Sequence, residues 1–64
     1  MGQKMIDIYE AIGKEDGMRG QMRLAMKTGI TTTAAKEVPD TPEKLAEFIL
    51  AFKQITNKDC PINF

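Results

Sequence analysis

The chain has no histidine and one cysteine, Cys60. A single thiol excludes an intrachain disulfide, and without imidazole or a second thiol there is no ligand set for a zinc site. Catalytic groups are equally scarce. A general base has to be a carboxylate, and a nucleophile has to be Cys60 or a threonine. Cys60 follows Asp59, whose charge raises a thiol pKa, so an inert free thiol is expected. Asp7, Glu10, Glu15 and Asp16 make the first third acidic but lack the spacing of a metal loop, and they read as a solvated face. No enzyme activity, metal or cofactor is expected.

Net charge is absent too, with nine basic residues set against nine acidic ones. That balance counts against strong non-specific affinity for nucleic acid, although a local basic face remains open. No apolar run approaches the ~18 residues of a membrane span, and no signal-peptide pattern opens the chain. "MGQKMI" carries Ile6 where a myristoylation signal has Ser or Thr. The expectation is a soluble protein of a reducing compartment, cytoplasmic and without membrane contact.

Sixty-four residues make one domain. A core this small supplies only about 3–5 kcal/mol, so partner-assisted stability, such as a homodimer, is an open possibility.

What the sequence does have is helical period. Met5, Ile8, Tyr9 and Ile12 fall at i, i+3, i+4 and i+7, which predicts a helix over about 3–12. "GKEDG" reads as a glycine-bracketed loop. A second helix is expected over about 17–28, with Asp16 as N-cap and Gly29 as the stop. Met18, Met22, Ala25 and Met26 share one apolar face, and core is the expected place for it in so small a domain. Leu24 points away from that face. Arg19, Arg23 and Lys27, spaced by four, form a basic stripe that reads as solvated and loosely paired with the acids of the first helix. "ITTTAAKEV" gives either a short helix over about 31–38, capped by Thr31 or Thr32, or an extended loop. "PDTPEK" then opens the best-defined helix, about 41–56. Thr41 is its N-cap, Pro42 its first residue, and Leu45, Phe48, Ile49, Phe52 and Ile55 its apolar stripe. Leu50 lies off that stripe. Residues 57–64 read as a tail or a short docking segment.

The expected fold class is therefore all-α: a compact bundle of three longer helices plus one short helix. "GMRG", Gly17 to Gly20, resembles the Gly-x-x-Gly loop of KH domains, but the chain offers no convincing strands for that family's sheet.

A more specific resemblance lies between Arg23 and Val38. Leu24-Ala25, then Gly29-Ile30-Thr31, then Ala35 and Val38 resemble the helix-turn-helix of Cro/repressor-type regulators. In such a corner a small residue is needed at Ala25, where the second helix crosses close above it. Gly29 takes the left-handed turn without side-chain cost, Ile30 plugs the corner and Thr31 caps the next helix. The resemblance implies a helix-turn-helix-like corner around Gly29 and a regulatory, dimeric protein reading duplex DNA on a two-fold site. By position, Thr32, Thr33 and Lys36 would then face base edges. Gln21 and Thr31 would lie near phosphates, and Arg23 and Lys27 would supply a flanking basic stripe. The other class left open is a helical protein–protein interaction module, a homodimer or an accessory subunit, with Leu50 in its interface.

Overall fold

A computed structural model describes residues 2–62. It contains three helices, α1 (Gln3–Thr28), α2 (Thr32–Glu37) and α3 (Pro42–Thr56), and no strand among the described residues. Positions 63 and 64 of the expected tail lie outside the described residues.

The expected loop at "GKEDG" shrinks to one residue. Helix continues through Asp16, and only Gly17 leaves it, at φ 65° and ψ −154°. That conformation is essentially reserved for glycine. A straight helix of 26 residues would measure about 39 Å, whereas the molecule is only 25 Å in its longest dimension. The single break at Gly17 therefore folds α1 into two limbs, 3–16 and 18–28. Gly20 permits their close approach: a methyl placed there would meet Asp16 Cβ at 2.7 Å and Ile12 Cγ1 at 3.2 Å. Gln21 crosses back above Gly13 and donates from Nε2 to the Tyr9 carbonyl at 3.1 Å.

α1 packs on both other helices, mainly on α3, while α2 and α3 do not pack on each other. The core joins Met5, Ile8, Tyr9 and Ile12 of the first limb to Leu45, Phe48, Ala51 and Phe52 of α3. Tyr9 and Phe48 meet edge to face, with centroids 5.7 Å apart. Leu24, Ile30 and Ala35 complete the cluster.

Two of the helix ends are closed by their own neighbours. Thr41 Oγ1 accepts from Lys44 N–H at 3.2 Å, with Pro42 in the first turn. Thr31 Oγ1 accepts from Ala34 N–H at 3.2 Å, so α2 starts one residue later than its cap. The N-terminus of α1 is closed from a distance. Gly2 offers no side chain, and Asp40 supplies the acceptors, taking Lys4 N–H at 3.1 Å and Met5 N–H at 3.4 Å. Beside it, Gly2 N–H donates to the Ala35 carbonyl at 3.1 Å. No helix among the described residues is long and apolar enough to cross a membrane.

Candidate functional site

The second limb of α1 is turned opposite to the expected way. Met18, Met22 and Met26 are exposed by 77%, 62% and 82%, whereas Leu24 is fully buried. The cause lies in the break at Gly17. Limb two must approach limb one closely, and the face able to do so is the one carrying Gly20, with Leu24 and Thr28 following at steps of four. A methionine face there would hold the backbones apart. At 100° per residue, the three methionines cover an outward arc of about 80°, and Arg19, Arg23 and Lys27 cover the next ~80°. All six side chains are exposed.

No carboxylate on the described surface pairs with this basic stripe, since the ion pairs there are Lys53–Asp59 at 3.8 Å and Lys58–Glu15 at 2.8 Å. The expected loose pairing with the acids of the first limb is replaced by one hydrogen bond, Lys27 Nζ to Gln54 Oε1 at 3.2 Å. Limb two thus carries three cations, no acid and three exposed methionines. Methionine is over-used at permissive binding surfaces, and contiguous exposed apolar patches mark contact surfaces.

The segment after limb two is built as follows. Gly29 is left-handed at φ 72°, and its N–H returns to the Ala25 carbonyl at 2.8 Å. Ile30 is buried, its carbonyl accepting from the Tyr9 hydroxyl. α2 then runs for six residues. Ala35 faces the core, and Thr31, Thr32, Thr33, Lys36 and Glu37 face solvent. Of the residues expected near phosphate, Thr31 is spent on its cap and Gln21 on the Tyr9 carbonyl. Arg23 and Lys27 lie on limb two with the methionines, and Leu50 is 59% exposed on α3.

Two titratable groups among the described residues are shifted. Burial pushes the Tyr9 phenol above its ordinary value, with a Thr28 hydrogen bond pulling the other way. Burial, rather than Asp59, pushes the Cys60 thiol up, opposed by a backbone hydrogen bond at Ile62. Asp59 is turned outward to Lys53. A cavity of about 440 Å³ lies between limb one and the C-terminal segment, floored by Ala11, Phe52 and Ile62 and rimmed by acids and two lysines. No hydroxyl, thiol or imidazole lines it, and Lys58 is held by Glu15. No group of three metal-ligating side chains occurs among the described residues.

Searches against known protein families, characterised proteins and solved structures find no match to this chain.

The exposed methionines were the residues hardest to find from sequence. The signal that could have found them is the spacing of Gly20, Leu24 and Thr28, a second, glycine-led face that competes with the methionine face for the interior.

Proposed function

We propose that the chain is a non-catalytic helical protein-interaction module whose contact surface is the outer face of limb two. One observation carries this: Met18, Met22 and Met26 stand exposed in a single stripe while a small core could have used them. Burying a methionine fully stabilises by about 1.5–3 kcal/mol, so leaving three outside forgoes a large share of a small domain's stability. Methionine is adaptable enough to fit a partner's surface, and the adjoining cations favour an acidic one.

The test is photo-crosslinking from a diazirine amino acid at position 22, with one at the exposed Glu10 position as control. Protein products specific to position 22, lost when Met18→Glu and Met26→Glu are added, are the expected result. Equal yields from both positions refute the proposal.

A second reading, a helix-turn-helix-like regulator contacting duplex DNA, is favoured by the left-handed Gly29, the Thr31 cap and the outward Thr32, Thr33 and Lys36. On that reading, a low-salt NMR titration with mixed duplex DNA shifts amides between Gln21 and Glu37, and Lys36→Ala weakens binding more than Lys53→Ala. Stationary amides across that segment exclude it.

A further inference from the structure

We infer that the partner of the methionine face is a second copy of this chain, docking through the outer face of α3; this rests on the interaction-module reading and names its partner. The complementary surface is on the same molecule. Along α3, Ala46 and Leu50 form an exposed apolar strip, and Glu43 and Glu47 flank it on one side. The opposite flank is Lys53, already facing Asp59. Neither Glu43 nor Glu47 takes part in an ion pair among the described residues, and the same holds for Arg19, Arg23 and Lys27, although Lys27 donates to the neutral Gln54 of its own chain. Each pair of successive charges is four residues apart, about 6 Å along its helix.

The order of the stripes fixes the orientation. On limb two the cations follow the methionines in the direction of helical winding, and on α3 the glutamates follow the Ala46–Leu50 strip in that same direction. When two such helices face each other, only an antiparallel arrangement sets cations against glutamates while methionines meet the apolar strip. A parallel one sets the cations toward Lys53. In the antiparallel register Arg23 lies opposite Glu47 and Lys27 opposite Glu43, with Met22 near Leu50 and Met26 near Ala46. The contact joins two different faces, so it either repeats across a two-fold axis or propagates head to tail.

The area required is modest. A specific interface at the lower limit of about 1,200 Å² takes about 600 Å² from each copy, roughly one-seventh of the 4211 Å² surface.

Sedimentation of the full chain tests the idea, with Arg23→Glu and Glu47→Arg made separately. The wild type should associate reversibly in the micromolar range, between about 1 μM and 1 mM. Each variant alone places like charges opposite one another and should weaken association about 2- to 30-fold. An equimolar mixture of the two restores opposite charges at every contact and should recover most of the wild-type association. Both positions are exposed, and recovery in the mixture itself shows that the variants fold. A wild type that stays monomeric throughout, or a mixture no better than its components, overturns the inference. A monomer that still crosslinks to a different protein from position 22 overturns the inference alone and leaves the interaction module standing. A monomer without position-specific products overturns both.

Discussion

Replacing Gly17 by each enantiomer of alanine tests the feature on which the placement of limb two depends. At φ 65° and ψ −154° an L-residue is in a region costing about 1–3 kcal/mol. A methyl there meets nothing within 4 Å, so the penalty is wholly that of the backbone. A D-residue at these angles is the mirror image of an L-residue at about −65° and +154°, which is ordinary extended backbone. D-Ala should therefore stabilise by about 0.4–1 kcal/mol through loss of unfolded-state freedom. If α1 instead ran straight through Gly17, both signs would reverse: L-Ala would gain about 0.8–1 kcal/mol over glycine in a helix interior, and D-Ala would disrupt it. A change of 1 kcal/mol moves Tm by about 4–8 °C in a domain of this size. Thermal melts followed by helical circular dichroism should thus fall by about 4 °C or more for L-Ala and rise by about 2–8 °C for D-Ala. The chain is short enough for chemical synthesis. An L-Ala variant more stable than the wild type would refute the two-limbed α1, and the outward methionines with it.

Asp40→Ala should cost about 0.5–2 kcal/mol in urea unfolding, the usual value of an N-cap, although Asp40 is remote from α1 in sequence. Asp40→Asn keeps one acceptor and should fall between, with faster amide exchange at Lys4 and Met5 as the local signature. Gly2→Ala should destabilise by about 1–3 kcal/mol from overpacking, because the added carbon would sit 2.6 Å from the Val38 carbonyl oxygen; an unchanged midpoint would contradict the docking of this residue on α2. Tyr9→Phe removes the buried hydroxyl bonded to the Ile30 carbonyl and should cost about 0.5–1.5 kcal/mol at neutral pH. The folded-state pKa of Tyr9 is raised, so its contribution is complete below the unfolded value near 10 and is lost as pH rises through the folded value. The stability gap between wild type and Tyr9→Phe should then narrow above about pH 10, and a gap constant to higher pH would speak against the burial of the phenol.

Which elements could be read in the sequence follows from how local their causes are. α3 was legible because its cap, its proline and its apolar stripe all lie within the helix and agree. Gly29 and Thr31 were legible for the same reason, each acting on backbone a few residues away. The face of limb two was not, because two faces of that helix are comparably apolar and the choice belongs to limb one. The methionines offered more area, but Gly20 offered closer approach, and close approach at the Gly17 fold decided which face turned inward. Asp40 was equally hidden, since a cap delivered from 35 residues away leaves no trace in local spacing. The loop expected at "GKEDG" failed for a related reason. One glycine able to adopt a positive φ reverses the chain alone, so Lys14 to Asp16 were free to remain helical.

The net charge of zero was the wrong length scale for judging partners. Charge is segregated: limb two carries three cations and no acid, while Glu43 and Glu47 lie on the outer face of α3. Salt dependence therefore separates the readings that share this basic stripe. If Arg19, Arg23 and Lys27 contacted phosphates while Lys36 met base edges, three counterions would be released and log K would fall against log salt with a slope of about −2.7. Between about 50 and 200 mM salt that is a loss of roughly 40-fold. The antiparallel contact between copies has two exposed ion pairs, each contributing about 0.2–1 kcal/mol. Removing both entirely weakens it about 2- to 30-fold, and partial screening at a Debye length near 8 Å leaves the change toward the lower end. Its apolar strip of methionine, alanine and leucine is indifferent to such salt. Association that survives 200 mM salt with only a few-fold loss belongs to the protein surface, and binding that collapses over the same range belongs to phosphate.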